Sequence, residues 1–200
     1  MLLFYRVLLL NQILRFIINP ITLNIILMIR RGEKIMSSYQ FKMITEDHID
    51  TIREIYTYYI KNTTVTFHTR EITKEEMANI VLFKNKKYES YLIESEEQIC
   101  GYVILTQYKP REAFDQTAEI SIYLKKGYEG RGIGKKALAF IEERARMKSI
   151  HTLISLICSE NGASIALFER HGYEKCAHYK EVGYKFNRWL DLVAYQKILV

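Results

Sequence analysis

The hydrophobic and polar positions from Tyr39 onward predict regular secondary structure. Residues 39–44 alternate between apolar and polar side chains, as in a strand with one buried face. A helix is then predicted as far as Ile60, capped by Thr45 or by Asp47. The apolar positions on one face of this helix are Ile49, Ile52, Ile55 and Tyr59.

The middle of the chain predicts a loop, a second helix and a hairpin. Residues 62–69 form a polar loop with an apolar centre, and Thr73-Lys-Glu-Glu76 is a capping box that opens the second helix. Tyr88–Glu94 and Gln98–Thr106 predict a hairpin that turns at residues 95–97.

The last third of the chain alternates strands with helices. The predicted elements are a strand at 119–124, a helix at 137–147, a strand at 151–158, a helix at 161–171 ended by Gly172, and strands at 173–179 and 189–198. The strand–helix–strand unit from Glu119 to Cys158 predicts two parallel strands with a right-handed crossover. The fold class is therefore α/β (α+β mixed), a twisted mixed sheet of about six to seven strands with helices on both faces.

The first 35 residues differ from the rest of the chain. They are rich in Leu and Ile, but Arg15 and the Asn19-Pro20 pair interrupt them, and the uncharged piece at 16–29 is shorter than the roughly 20 residues of a membrane span. We therefore divide the chain into an N-terminal extension at 1–35 and one domain at 36–200. The favoured hypothesis is that translation starts at Met36, which an intact mass including the extension would refute. A membrane-surface anchor is the alternative.

Charge and cysteine content narrow the class of partner. The formal net charge is +6, but residues 1–35 carry +4 of it, so the domain is nearly neutral and no nucleic acid partner is predicted. The 3 cysteines show no Cys-x-x-Cys spacing, which predicts reduced thiols in a cytoplasmic protein and no metal site.

The stretch Tyr128–Lys136 carries three glycines and three cations between a predicted strand and a predicted helix. A helix N-terminus with nearby glycines presents backbone N–H groups to a phosphate. The Walker pattern is excluded because Ala137 follows Lys136 where Ser or Thr is needed, and the dinucleotide-binding pattern is excluded by the glycine spacing. Taken alone, the stretch is equally compatible with a tight turn that has a solvated basic edge.

Several runs of this chain resemble a known family. The element order, the glycine loop and Asn161 at a helix start resemble the Gcn5-related N-acetyltransferase superfamily. Within it, the similarity is to the phosphinothricin and methionine sulfoximine (or sulfone) N-acetyltransferases, over roughly residues 39–199. The runs that carry this narrower resemblance are Thr64–Phe67, Tyr108–Phe114, Asn161–Leu167 and Val182–Asp191.

The resemblance implies an acyl-CoA N-acyltransferase fold with acetyl-CoA as co-substrate and no metal. The residues that it places around acetyl-CoA are Ile122, Tyr123, Leu124, Gly130, Arg131, Gly132, Ile133, Gly134, Lys135, Asn161 and Ser164. Glu129 departs from the family pattern, which has Gln or Arg there. Asn161 has an alternative role as a helix N-cap.

Glu119 is the candidate general base. An ammonium group must lose a proton before it attacks a thioester, and a carboxylate in a partly dry cleft has a raised pKa. On a strand, Glu119, Ser121 and Tyr123 share one face. Without the family resemblance, an exposed charge on a sheet face is the alternative.

Phe168 occupies the position where many superfamily members carry a Tyr, and the herbicide-acetylating relatives a His, as the acid for the departing thiolate. We expect the CoA thiolate to leave without a side-chain acid, with Tyr173 or His171 as alternatives; a helix-end role fits His171 better. The predicted substrate contacts are Phe67, Arg111, Tyr184 and Lys185. Arg111 would hold a carboxylate and Phe67 would wall the pocket, with a solvated arginine and a hydrophobic anchor as alternatives.

Together these expectations describe an N-acetyltransferase that acts on the α-amine of a small amino acid or analogue. Acetylation of a polyamine, an antibiotic or a protein N-terminus is the alternative activity, and a CoA-binding module without turnover is the alternative outside enzymes. The relatives imply a homodimer, and no membrane span is predicted.

Overall fold

The computed structural model describes residues 39–96 and 98–199. The proposed extension at 1–35 and the start at Met36 lie outside the described residues.

Within the described residues, seven strands form one mixed sheet with four α-helices packed on it. The strands are β1 (Gln40–Met43), β2 (Glu89–Ser95), β3 (Gln98–Gln107), β4 (Thr117–Leu124), β5 (Thr152–Cys158), β6 (Glu174–Lys185) and β7 (Arg188–Ile198). The helices are α1 (Ile49–Asn62), α2 (Lys74–Val81), α3 (Ile133–Met147) and α4 (Gly162–Arg170).

The sheet order is β1-β2-β3-β4-β5-β7-β6. Strands β4 and β5 are parallel, and the other neighbouring pairs are antiparallel. The predicted mixed sheet and the parallel crossover through α3 are thus confirmed.

Two hydrophobic clusters lie on opposite faces of the sheet because strand side chains alternate. One cluster joins α3 and α4 to the sheet through residues such as Ile120, Leu138 and Phe168. The other joins α1 and α2 through residues such as Ile52 and Tyr102. The helices therefore cover both faces, as the sequence predicts.

The local cap at α2 is the one that the sequence predicts. The Thr73 hydroxyl accepts a hydrogen bond from the Glu76 N–H at 3.1 Å, and the Glu76 carboxylate accepts one from the Thr73 N–H at 2.8 Å. Both groups satisfy amides that have no partner inside the helix.

Helix α3 begins at Ile133, four residues before the predicted start at Ala137. Gly132 is its N-cap residue in a left-handed conformation, with φ at 76°. Gly134 and Lys135, which the sequence assigns to the loop, therefore belong to the first turn of the helix.

Strand β6 also differs from the prediction, because it continues to Lys185 instead of ending at Tyr179. Its pairing with β7 is interrupted between Tyr179 and Gly183 by a bulge. The Asp191 carboxylate holds this bulge, since it accepts the Glu181 N–H at 2.8 Å and pairs with His178 at 2.7 Å. The irregularity hides the strand from a search for simple alternation.

Candidate active site

The central strands β4 and β5 separate from each other after a short stretch of pairing. β4 pairs with β3 from Ala118 to Leu124, but it pairs with β5 only at residues 117–119. β5 continues to Cys158 with its pairing to β7 intact. The sheet is therefore open between the second half of β4 and that of β5.

The register shows which backbone groups of β4 face this opening. Just after β4, the Lys125 N–H donates to the Cys100 carbonyl of β3 at 2.7 Å. Because hydrogen bonding alternates along an antiparallel pair, Tyr123 is bonded to β3 as well, whereas Ile122 and Leu124 turn their backbone groups away from β3. Of the three predicted strand residues, Ile122 and Leu124 thus present backbone to the opening, and Tyr123 presents its side chain to one face.

The glycine loop leads from the end of β4 into the N-terminus of α3. Gly130 and Gly132 both have positive φ, at 72° and 76°. Among the described residues other than its chain neighbours, none has an atom within 4 Å of a Cβ added at either position, so backbone conformation rather than crowding requires glycine there. The first turn of α3 contains no acidic residue, and its amides have no acceptor inside the helix. The positive end of the helix dipole therefore lies beside the opening.

Glu129 has a local role that explains its departure from the family pattern. Its carboxylate accepts a hydrogen bond from the Gly127 N–H at 2.7 Å, which closes the turn before the loop. The guanidinium of Arg131 lies over the Tyr128 ring at 4.8 Å. An acid at 129 thus stabilises the turn while Arg131 supplies a cation.

A second helix N-terminus follows β5. The Asn161 side-chain carbonyl accepts the Ser164 N–H at 3.1 Å, so the N-cap role of Asn161 is confirmed. The first turn of α3 packs closely against the second turn of α4, because a Cβ on Gly134 would lie 3.0 Å from the Leu167 side chain. Both helices that follow the separated strands therefore pack against each other on the same face of the sheet.

A cleft of about 650 Å³ lies at β4 on the face that carries Glu119. It brings together the predicted residues Glu119, Tyr123, Phe67 and Tyr184. The residues that line it are Tyr56, Val65, Thr66, Phe67, His68, Glu119, Ser121, Tyr123, Leu156, Val182, Gly183, Tyr184 and Leu192.

The cleft wall is built by close packing of the 62–69 loop against the β6 bulge. A Cβ on Gly183 would lie 2.4 Å from the Phe67 ring, so the absence of a side chain at 183 lets Phe67 lie over the bulge. The Glu160 carboxylate connects this loop to β7, because it accepts a hydrogen bond from the Thr64 hydroxyl at 3.2 Å and forms an ion pair with Arg188.

Glu119 is half-buried on the cleft floor. Burial raises the pKa of its carboxyl group, and the positive charge of Lys109 opposes that rise. Ser121 and Tyr123 line the cleft with it, while Ile120 is buried on the opposite face, so the predicted alternation is confirmed. A group with this pKa direction holds a proton more readily than an exposed glutamate.

Sequence reasoning missed a polar chain beside Glu119. The Tyr56 hydroxyl lies 2.5 Å from the Thr66 hydroxyl and 2.7 Å from Nδ1 of His68. The Tyr56 ring also contacts Tyr123 edge to face at 5.1 Å. The hydroxyl of Tyr56 on the apolar face of α1 was the sequence signal that a buried polar partner is needed. Tertiary packing decides that its partners are Thr66 and His68 on the 62–69 loop.

Two predicted substrate contacts lie elsewhere than on the cleft lining. The Lys185 ammonium is buried and donates to the Thr66 carbonyl at 2.8 Å, and burial lowers the pKa of Lys185. Arg111 is exposed at the start of a single 3-10 turn, residues 112–114. Lys185 therefore supports the cleft wall, and direct substrate contacts by Lys185 and Arg111 stay predictions.

No alternative acid at α4 faces the cleft among the described lining residues. Phe168 is buried and contacts the Tyr173 ring edge to face at 4.9 Å. Burial raises the pKa of Tyr173 well above its ordinary value, and nearby Glu142 adds to the rise. Nδ1 of His171 lies 2.7 Å from the Leu167 carbonyl, which agrees with a role at the helix end.

Residues 39–96 and 98–199 contain no group of three or more His, Cys, Asp or Glu side chains that could hold a metal ion. No helix in this part of the chain has both the length and the apolar character needed to cross a membrane.

Residues 41–194 match the family profile described as acetyltransferase (GNAT) domain. An L-methionine sulfoximine/L-methionine sulfone acetyltransferase of Pseudomonas paraeruginosa is 38% identical over 99 residues, which cover 50% of this chain and 58% of the relative. The matched segment thus spans less than two thirds of that relative's length.

Two solved structures extend the comparison over most of the domain. A GNAT superfamily phosphinothricin acetyltransferase from Sinorhizobium meliloti, in complex with acetyl-CoA, is 26% identical with a TM-score of 0.75, covering 82% of this chain and 89% of that one. A ribosomal-protein-alanine N-acetyltransferase from Brucella melitensis is 34% identical with a TM-score of 0.73, covering 80% and 99%.

The raised pKa of Glu119 predicts a cost to stability at neutral pH. The folded state binds the Glu119 proton more tightly than the unfolded state, so this group favours folding at low pH and the contribution is lost as pH rises through its folded pKa. We expect Glu119→Gln to withstand more urea than the parent at pH 8, with an advantage that shrinks toward pH 5.

Urea unfolding at several pH values measures this difference. Glu112→Gln is the matched control, because Glu112 is exposed, and it should show no pH-dependent advantage. A Glu119→Gln protein less stable than the parent at pH 8 would contradict the assignment of a desolvated carboxylate.

Proposed function

The chain belongs to the acetyltransferase (GNAT) domain family, and from that premise we propose that it acetylates the α-amine of a small amino acid or analogue with acetyl-CoA. The observation that carries the proposal is the opening between β4 and β5. The glycine loop and the start of α4 border it on one face, and Glu119 lies in the cleft on the other. An acetyl donor and an amine can thus approach from opposite sides of one sheet.

Acetyl-CoA fits the groups on the helix side. The N–H groups of Ile133, Gly134 and Lys135, with the Arg131 cation, form a donor set suited to a pyrophosphate. Backbone groups of Ile122 and Leu124 lie on an edge of β4 where none of the described strands pairs with them, so a pantetheine arm can pair there. Asn161 and Ser164 stand at the other border of the opening and are proposed to contact the same arm.

Glu119 supplies the base in this proposal. Its carboxylate takes a proton from the substrate ammonium, directly or through a water, and the freed nitrogen lone pair attacks the thioester carbonyl carbon. The carbon–sulfur bond then breaks, and the electron pair leaves with the CoA sulfur. The attacking nitrogen gives up its second proton to that thiolate or to water, which leaves the neutral amide. The thiolate is stable enough to depart without an acid at Phe168, because a free thiol has a pKa of about 8.5. Backbone N–H groups of β4 polarise the carbonyl oxygen.

The walls of the cleft support a substrate that carries its amine on a compact body. Phe67 and Tyr184 supply aromatic surface, and Val65 and Val182 supply apolar surface. Arg111 is proposed to reach the substrate carboxylate from the exposed loop before β4. Among the described residues that line the cleft, Glu119 is the single carboxylate. This composition disfavours a polyamine substrate, because a polycation is bound by several acidic side chains.

A protein N-terminus is the second candidate substrate. The 34% identical structure from Brucella melitensis bears the name of a ribosomal-protein-alanine N-acetyltransferase. A CoA-binding module without turnover is less well supported, because the hydrogen bond to Gly127 accounts for Glu129 without loss of the phosphate loop.

We propose that the protein functions as a cytoplasmic homodimer. The β6–β7 hairpin exposes Tyr179, Val182, Tyr184, Phe186 and Trp189, a density of large apolar side chains typical of an interface. A second copy of the chain on this surface is predicted, and Trp189→Lys should then lower the mass measured by sedimentation. A parent protein that sediments as a monomer at micromolar concentration would contradict the dimer.

The amine specificity is tested by thiol release from acetyl-CoA. We expect thiol release with methionine sulfone, methionine sulfoximine or phosphinothricin, and little release with spermidine. The reason is that the described cleft lining combines aromatic, apolar and polar side chains with one carboxylate, Glu119. Release with an alanine-terminated peptide alone would favour the second candidate. Tight CoA binding without release for any amine would favour the non-catalytic module.

The role of Glu119 is tested by the pH dependence of the rate. Glu119→Gln should keep the affinity for CoA and lower kcat/KM by about 10²–10⁴-fold near neutral pH, the range for loss of a general base. The acid limb of the pH–rate profile should disappear with it. Glu112→Gln should retain the parent profile. If Glu119→Gln keeps the parent profile and rate, the base must be another group.

A further inference from the structure

The free edge of β4 is held by a contact that the proposed chemistry does not use. The Tyr59 hydroxyl, on α1, donates to the carbonyl oxygen of Leu124 at 2.6 Å. That carbonyl faces the opening, because Leu124 turns its backbone groups away from β3. Tyr59 therefore supplies a hydrogen bond to the end of β4, where β4 no longer pairs with β5.

The bond to Tyr59 fixes one peptide unit at both ends. The Leu124 carbonyl and the Lys125 N–H belong to the same planar peptide, and the Lys125 N–H donates to the Cys100 carbonyl at 2.7 Å. With both groups bonded, this peptide has no freedom to rotate. The orientation of the preceding peptide, which joins Tyr123 to Leu124 and carries the Leu124 N–H toward the opening, is constrained in turn.

The position of the Tyr59 ring is itself well determined. The ring contacts Tyr123 edge to face at 5.5 Å and Tyr58 at 5.6 Å. Its backbone carbonyl accepts the Thr63 N–H at 3.2 Å and the Thr63 hydroxyl at 2.9 Å. One residue therefore connects the end of β4 to the start of the loop that carries Phe67.

The hydroxyl of Tyr59 remains a donor over the whole working range of pH. Burial raises the pKa of Tyr59 to about 12, and the negative charge of Glu129 adds to the rise. A raised pKa favours the protonated phenol, so the bond to Leu124 does not weaken through titration near neutral pH.

We propose that Tyr59 is a positioning residue for the acetyl donor, which holds the open end of β4 in the conformation that pairs with the pantetheine arm. The inference rests on the proposed function, because it assigns to β4 the pairing with acetyl-CoA. It adds that a side chain from α1, outside the cleft lining, sets donor affinity separately from amine affinity.

Tyr59→Phe removes the hydroxyl and keeps the ring. The KM for acetyl-CoA and the dissociation constant for CoA should rise about 3- to 10-fold, the range for one lost neutral hydrogen bond. The KM for the amine and kcat should stay within about 2-fold. Tyr58→Phe is the matched control, because it removes a neighbouring phenol hydroxyl that does not bond β4, and it should match the parent.

Thiol release and calorimetric titration with CoA measure these constants, at a temperature well below the unfolding midpoints of all three proteins. A Tyr59→Phe protein with unchanged or tighter CoA binding overturns the inference, even if its stability falls. Equal increases in both KM values overturn it too, because they indicate a general loosening. A parent protein that binds CoA but releases no thiol refutes the proposed activity, while the ratio of CoA affinities still tests Tyr59.

Discussion

The early end of the hydrogen bonding between β4 and β5 is the constraint on which the rest of the site depends. Two parallel strands in the middle of a sheet would normally pair along their whole length, because unpaired buried backbone groups cost free energy. Here the pairing stops at Glu119 and Ile154, and β4 keeps one bonded edge against β3. The opening exposes backbone donors and acceptors in a region that is otherwise well packed.

The elements around the opening place helix N-termini on one face of the sheet and the wall of the cleft on the other. Gly132 starts α3 at the exit of β4, and Asn161 starts α4 at the exit of β5, so two helix N-termini border one face. On the other face, the Lys185 ammonium and the Glu160 carboxylate hold the 62–69 loop over the cleft. The partly desolvated Glu119 lies on this cleft face, and its raised pKa is a cost that the surrounding structure must offset.

Local sequence signals predicted the elements and the faces of the fold well. The Thr73 box, the alternation around Glu119 and the crossover after it depend on neighbours in sequence, and the structure has all three. The bulged end of β6 escaped prediction, because Lys180 and Glu181 break the alternation and a distant carboxylate stabilises them.

The candidate site was also predictable only where the signal of a residue depends on its neighbours in sequence. The glycine loop, Asn161 and Glu119 carry their signals in their own segments. The Tyr56 contacts with Thr66 and His68 join α1 to the loop that follows it, and the bond from Tyr59 to Leu124 joins α1 to a strand 65 residues away. Contacts between different elements leave no signal in the periodicity of either one. The bond from the Lys185 ammonium to the Thr66 carbonyl likewise depends on a loop that only the folded chain brings near, while its predicted contact with substrate stays a prediction.

Amide hydrogen exchange along β4, with and without CoA, tests most directly whether the opening is where the acetyl donor pairs. The account predicts that the Leu124 and Ile122 amides exchange quickly in the free protein and slow markedly with CoA. The Tyr123 amide should be slow in both states, since its bond to β3 is already made. CoA binding that leaves the exchange of Leu124 and Ile122 unchanged would contradict the account.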